Sequence, residues 1–364
     1  MSSLTGLPTG SCILVTGANG FIASHVINTL LQLEYRLRGT VRTAKPWLDA
    51  FFENKFGRGV FETFVLPDFE NPEMLDNCMD GIAGVVHTAS DVSFSNDPDT
   101  VIPWVVRAVE NVLEAASRHP SVKRFVLTSS SAAALIPVTN QKGFRINEDT
   151  WNEAAVKAAC DPITKPTEKA ITIYAASKTL SEQMAWKWTR GHNPRFTFNT
   201  VLPSFNVGEI LHEKFGGSSM GMVRGILKDD KSIFDFFVPR ELFPCPRWLV
   251  EGGGISEMLN CFNVLEQYVD VTDTARLHAI ALLAPNVRSR RIFAFAGPLN
   301  MTDIISTLRE LRPDHHFDDP NPNEGRDLTD VAPAAKAEKL LEEFFGQKGW
   351  IPYRQSLADG ICDL

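Results

Sequence analysis

A doubly wound α/β fold, in which helices cover both faces of a mostly parallel sheet, is the class this sequence predicts. Two observations predict it. Up to Pro203, apolar runs of strand length alternate with amphipathic stretches of helical period, the pattern of successive βαβ units. A glycine-rich turn, Gly17-Ala-Asn19-Gly20-Phe21-Ile22-Ala23, stands where the first such run meets the first such stretch. A chain of 364 residues is also long enough for a large α/β domain with a smaller lobe.

Ser11 to Thr16 is a short apolar run and predicts the first strand. From Phe21 to Leu33, the residues Ile22, Val26, Ile27, Leu30 and Leu31 recur at helical spacing and predict the first helix. Arg36 to Val41 and Phe61 to Leu66 predict the second and third strands. Asn71 to Met79 predicts a short helix, since Pro72 suits a first helical turn. Ala83 to Thr88 follows as a fourth strand, Pro98 to Ser117 as a long helix, and Lys123 to Thr128 as a fifth strand. Ile136 to Thr172 is polar and carries Pro137, Pro162 and Pro166, which predicts a surface excursion. A helix near Ile173 to Thr189 and a sixth strand, Phe196 to Leu202, precede Pro203, where the alternation ends. Tyr268 to Val271, a helix at Thr272 to Leu283 and the apolar run Arg291 to Ala296 predict a return to the main sheet. Helical stretches at Met301 to Leu311 and Ala334 to Phe345 close the chain.

Gly208 to Cys261 differs in kind. It holds Phe234, Phe236, Phe237, Phe243 and Trp248, several prolines and a Gly252-Gly253-Gly254 run, and predicts a loop-rich lobe or lid.

Bulk composition narrows the function. Hydrophobic content of 44% and charge of 22% are ordinary for a globular protein. A net charge of -8 opposes polyanions, so nucleic acid is not an expected partner and any anionic ligand needs local donors. No secretory signal is visible at the start, and no apolar stretch approaches the roughly eighteen residues that span a bilayer; a cytoplasmic protein without a membrane partner is expected. The six cysteines are scattered, without metal spacing, so no metal is expected.

The glycine-rich turn carries the next inference. Gly17 allows the tight turn, Gly20 lets the backbone approach a pyrophosphate, and Ala23 is small enough for close helix–sheet packing. Amides at the start of the helix, including those of Phe21 and Ile22, then face the anion. Cofactor choice follows from the second strand. The stretch Arg36 to Lys45 contains no acid to grip a ribose 2′-hydroxyl. Arg42, supported by Lys45, is placed to pair with a 2′-phosphate, which points to NADP(H); Arg36 and Arg38 read as strand residues with solvated heads. Leu66-Pro-Asp68-Phe69 ends the third strand, where Asp68 is expected to accept from an adenine amino group. His87-Thr88-Ala89-Ser90 ends the fourth and leaves room for a ribose, with His87 itself a satisfied structural histidine.

Tyr174 and Lys178 form the one Tyr-x-x-x-Lys in a chain of four tyrosines. At i and i+4 of a helix they share a face. A nearby ammonium lowers the pKa of a phenol, which can then deliver a proton to a developing alkoxide. Thr128-Ser129-Ser130-Ser131 ends the preceding strand, and a hydroxyl there can polarise a carbonyl.

These strings together resemble the extended short-chain dehydrogenase/reductases. The chain is most similar to the branch holding plant dihydroflavonol reductases and fungal and yeast aldehyde, ketone and methylglyoxal reductases. The likeness rests on Val15-Thr-Gly-Ala-Asn-Gly-Phe-Ile22, Arg38-Gly-Thr-Val-Arg42, Phe94-Ser-Asn96, Ser121 to Ser130, Ala133 to Pro137 and Tyr174-Ala-Ala-Ser-Lys178. The resemblance implies a Ser130, Tyr174 and Lys178 triad with NADPH as donor, a choice of serine that spacing alone leaves open. It further implies that Phe94, Leu135, Ser204 and Phe205 face the substrate, that Tyr174, Pro203, Asn206 and Val207 border the cofactor, and that Lys178 holds the nicotinamide ribose. Asn111 reads as structural.

The expected organisation is a Rossmann-type NADP-binding domain, 8–207 plus 262–300, and a substrate lobe, 208–261 plus 301–364. The expected function is NADPH-dependent reduction of aldehydes, ketones or keto esters to alcohols, with Tyr174 as proton donor, in a monomer or homodimer. An apolar aromatic lid suits a bulky or aryl carbonyl compound; a lobe core or dimer contact is the alternative use of those rings. Other readings are a steroid or sterol dehydrogenase, a nucleotide-sugar epimerase or dehydratase, and a dinucleotide sensor without turnover. Arg42 and the serine run argue against the epimerase, and the Tyr/Lys pair against the sensor.

Overall fold

A computed structural model of the protein describes residues 5–164, 166–216, 218–228, 267–320 and 324–364. The aromatic run from Phe234 to Trp248 and the three glycines after it lie outside the described residues.

The alternation seen in the sequence becomes β1 (Cys12–Thr16), α1 (Phe21–Gln32), β2 (Arg36–Val41), α2 (Pro46–Phe56), β3 (Phe61–Val65), α3 (Pro72–Met79), β4 (Ile82–His87), α4 (Pro98–Arg118) and β5 (Arg124–Thr128). A short β6 (Arg145–Ile146), α5 (Glu153–Ala159), α6 (Pro166–His192), β7 (Thr197–Pro203), β8 (Phe205–Val207) and α7 (Ser218–Lys228) follow. Beyond the undescribed segment come β9 (Gln267–Asp270), α8 (Val271–Leu283), β10 (Arg291–Ala294), β11 (Gly297–Pro298), α9 (Met301–Leu311), β12 (Asp330–Val331), α10 (Ala334–Phe345) and α11 (Tyr353–Gly360).

Seven strands form one parallel sheet in the order β10-β7-β5-β4-β1-β2-β3. Alternate residues feed two cores. Ile13, Val15, Val86 and Val126 pack with α1, α8 and α10 on one face. Leu14, Val85, Phe125 and Leu127 pack with α3, α4 and α6 on the other. Strand order reverses between β1 and β4, so a crevice opens beyond their carboxyl ends, where this class of sheet binds its ligands.

Three expectations need correction. β9 does not join the main sheet; it lies between β8 and β11 in a separate three-stranded sheet, and only β10 completes the large one. The polar excursion 136–172 contains α5 and the start of α6, because alanine-rich segments form helices without the large apolar period used to find them. Finally, α10 was expected in the lobe but packs on the sheet: Ala337 and Leu341 are buried in the core that contains Ile292 and Leu277. α7, α9 and α11 share a separate buried cluster, around Met220, Ile304, Leu308, Leu357 and Ile361.

Candidate active site

The crevice divides into a groove and a cavity that share Ile22, Thr88, Ser90, Val92, Thr128 and Met222. The groove, about 880 Å³ as bounded by described residues, runs from Arg42 and Lys45 past Gly17, Asn19, Gly20, Phe21 and Ile22 to Phe69, Thr88 and Ala89. Its residues fit a dinucleotide. Gly17 has φ +68°, a backbone that L side chains rarely adopt, and a Cβ there would sit a tight 3.3 Å from the Ala89 backbone, so this turn on the groove favours glycine. α1 begins at Gly20 with no side-chain cap and no acid in its first turn, leaving first-turn amides for an anion. Arg42 is exposed on the groove with no partner among the described residues. Arg38, by contrast, is committed: it donates to Glu62 at 2.7 Å and to the carbonyls of Cys78 and Asp80 at 3.0 Å. Arg36 donates to the Gly10 carbonyl at 3.1 Å.

Not every expected contact lies on this groove. Asp68 stands outside its lining; the carboxylate is exposed and accepts from the Glu70 amide at 2.9 Å, closing a local turn instead. Val207 is fully buried in the cluster shared with α7, α9 and α11. Asn111 donates to the Phe69 carbonyl at 2.9 Å and so holds that loop from the adjacent helix, a structural role. His87 is only half satisfied. Thr16 Oγ1 accepts from the amides of Thr88 and Ala89, so its hydrogen goes to His87 Nδ1 at 2.9 Å and Nε2 carries the ring proton. Nε2 has no partner among the described residues. Burial, with Lys178 adding repulsion, lowers its pKa to about 3, so the ring is neutral at physiological pH. Ser90 Oγ is likewise buried without a partner among the described residues, at the junction of groove and cavity, where sequence reasoning saw only a small residue.

The cavity holds the chemistry. It is about 710 Å³ as bounded by described residues, and Ser130, Tyr174, Lys178, Phe94, Pro203, Ser204, Phe205 and Asn206 all line it. α6 presents Tyr174 and Lys178 on one face, with the Lys178 Nζ 5.9 Å from the centroid of the Tyr174 ring. Lys178 is 6% exposed, and its pKa is lowered to about 8 chiefly by burial, with Glu182 and Asp91 opposing the fall. Phe94 lies 5.1 Å from the Tyr174 ring at 34°. Its φ of 52° is a left-handed backbone that bulky residues rarely adopt, so the surrounding loop forces this ring into place.

The three serines part company. Ser129 Oγ donates to Glu182 Oε2 at 2.8 Å. Ser130 Oγ accepts from the Ala132 amide at 3.2 Å, which leaves its own hydrogen for another acceptor. Ser131 also lines the cavity. Leu135, expected at the substrate, is 5% exposed and packs with Ile146, Leu202 and Phe293 instead. Ser204 Oγ donates to the Ala294 carbonyl, and Asn206 Oδ1 accepts from Thr274, so both polar side chains are already engaged.

Sequence reasoning missed the buried cluster beneath the serines. Glu182, on α6 one turn past Lys178, accepts from Ser129, Thr200, Trp186 and Arg291. Arg291 in turn donates to the carbonyls of Glu148 and Thr150 and stacks 3.7 Å from the Trp151 ring. One signal was available: Glu182 sits at i+4 from Lys178 on the same helical face.

A parallel sheet with its glycine turn at the reversal of strand order, and a Tyr/Lys pair beside a serine-bearing strand end, define an extended short-chain dehydrogenase/reductase. The chain belongs to the NAD-dependent epimerase/dehydratase family, whose profile matches residues 13–294. It is 43% identical over 360 residues to the ketoreductase adrE of Penicillium rubens, covering 98% of this chain and 97% of the relative. Aldehyde reductase 2 of Sporidiobolus salmonicolor is 37% identical over 359 residues, covering 97% and 96%. Among solved structures, a yeast methylglyoxal/isovaleraldehyde reductase, Gre2, in complex with NADPH has the same fold, with TM-score 0.71, 22% identity and coverage of 96% and 97%.

Proposed function

We propose that this protein is an NADPH-dependent reductase that converts the carbonyl of a ketone, aldehyde or keto ester to an alcohol. The observation that carries this reading is the convergence of Ser130, Tyr174 and Lys178 on one cavity that is continuous with a dinucleotide groove. Ketoreductase and aldehyde reductase relatives spanning nearly the whole chain support it.

In this reading Gly17, Gly20 and the first turn of α1 hold the pyrophosphate, and Arg42 with Lys45 holds a 2′-phosphate. The reduced nicotinamide supplies the hydride. Ser130 donates a hydrogen bond to the substrate oxygen and fixes its pose, its hydroxyl being the one already oriented by the Ala132 amide. Tyr174 passes its proton to that oxygen as the carbon becomes tetrahedral. Lys178, charged below about pH 8, lowers the energy of the phenolate left behind. Lys178 is the one charged side chain among the described residues lining the cavity, so nothing there matches the diphosphate of a nucleotide sugar, which disfavours the epimerase reading.

The test is a panel of ketones and aldehydes mixed with NADPH or NADH, followed by loss of the reduced-nicotinamide absorbance. NADPH oxidation by a ketone is the expected result; no oxidation with any carbonyl compound contradicts the reading. Arg42→Asp should weaken NADPH relative to NADH by on the order of thirtyfold, about 2 kcal/mol for a charge-assisted pair. Equal loss for both cofactors would contradict the assignment to the 2′-phosphate.

The pH dependence has a definite sign. Burial lowers the pKa of Lys178, so its charge is present below about 8 and is lost as pH rises through that value. Reduction, measured as kcat/KM, should therefore hold at neutral pH and decline as pH rises through about 8. A profile flat between roughly pH 6 and pH 10 would show that this ammonium does not support the proton transfer.

A further inference from the structure

One side of the cavity, its arm, is lined by residues of α5 and the early part of α6. Ala154, Ala155 and Ala158 of α5 line one side, and Ala170 and Ile171 of α6 another. The adjoining face of α5 is core: Val156 and Ala159 pack with Val101, Val105 and Ile173. Only part of the alanine face serves close packing. Ala155 is 3% exposed and packs with Ala132 and Ala175, but Ala154 is exposed and Ala158 half-buried, so their small size is not demanded by a neighbouring helix.

The arm is rigidly tied to the reacting end. Asn152, the cap of α5, donates through Nδ2 to the Ala132 carbonyl at 2.9 Å, and its amide donates to the Ala133 carbonyl at 3.0 Å. Its Oδ1 accepts from the Ala155 amide at 3.0 Å, so its polar groups are spent inside the protein. The arm therefore stands in fixed register with the turn that follows Ser130. Among the described residues, the aromatic rings lining the cavity are Phe94, Tyr174 and Phe205, and none lies among the residues of α5 or at 170–172, where the lining is aliphatic apart from Thr172 and the Asn152 cap.

We propose, resting on the carbonyl-reductase reading, that this alanine-walled arm seats the body of the substrate and takes an uncharged, bulky, largely aliphatic ring system. A cavity of about 710 Å³ falls in the range that encloses a drug-sized ligand, roughly 300–1,000 Å³. A three- or four-carbon aldehyde would leave the arm unfilled and forfeit its dispersion contacts. A carboxylate or phosphate on the ring system would enter a wall with no cation among the described residues that form it.

The test compares kcat/KM for a fused alicyclic ketone such as a decalone, the same skeleton bearing a carboxylate, and ethyl acetoacetate, with NADPH as donor. Ketone dissociation constants for the NADP+-loaded protein give a second readout. The parent protein should favour the decalone over both others by at least tenfold. Ala154→Leu and Ala158→Leu should each lower its kcat/KM and binding at least tenfold while ethyl acetoacetate stays within threefold. Ala154 is exposed, so its variant folds even if the half-buried site does not tolerate leucine. A preference for ethyl acetoacetate or for the carboxylated ketone, or equal losses on all substrates, overturns this proposal and leaves carbonyl reduction standing. No NADPH oxidation with any ketone overturns both.

Discussion

Tyr174→Phe should reduce turnover by on the order of 10²–10⁴-fold, the usual contribution of a positioned proton donor, and leave NADPH binding nearly intact. The groove that accommodates a dinucleotide is lined by the glycine turn, the ends of β2 and β3, and the loop after β4, none of which includes the phenol. Removing one oxygen leaves the ring, which packs against Phe94 at 5.1 Å, in place. Lys178 then has no phenolate to support, and Glu182, the acid on the same face of α6, is committed to Arg291, Ser129, Thr200 and Trp186. Stopped-flow transfer and fluorescence titration with NADPH separate the two effects. Retained turnover would remove Tyr174 from the chemistry; lost cofactor binding would make it a structural residue.

The second large effect lies beneath the site. Arg291→Leu should destabilise the fold by about 3–5 kcal/mol, because it strands the Glu182 carboxylate without its cation. Glu182 is fully buried and the Arg291 side chain is 6% exposed, so water cannot replace the lost partner. The carbonyls of Glu148 and Thr150 lose their donor in the same change. Urea unfolding measures it as a lower midpoint at unchanged slope. Glu182→Gln offers a companion readout. That carboxylate raises the pKa of Lys178, so its removal should shift the alkaline decline in kcat/KM to lower pH. An unshifted profile and an unchanged midpoint would mark the cluster as filler.

What the sequence revealed was local in chain distance. Gly17 and Gly20 sit three residues apart in one turn, and Tyr174 and Lys178 one helical turn apart, so motif and geometry coincide. Strands buried on both faces announce themselves as apolar runs, and amphipathic helices by their period, which is why β1 lies within one residue of its apolar run and α9 begins and ends where its sequence pattern does. Legibility failed where contacts join distant segments. Glu182 meets Arg291 across a separation of 109 residues, and no spacing rule links them. α2 went unread because its one buried stripe holds only Leu48 and Phe52. Leu135 looked like a substrate contact by analogy, but the turn through Ser131–Ala133 carries its side chain into the core with Phe293.

A ternary crystal structure with NADP+ and a bound ketone would decide whether the three side chains act together on one carbonyl. The carbonyl oxygen should lie within about 2.6–3.2 Å of both the Tyr174 hydroxyl and Ser130 Oγ, and the carbonyl carbon about 3–3.5 Å from C4 of the nicotinamide. A carbonyl held by other groups, with Tyr174 and Ser130 out of reach of its oxygen, would contradict the proposed chemistry.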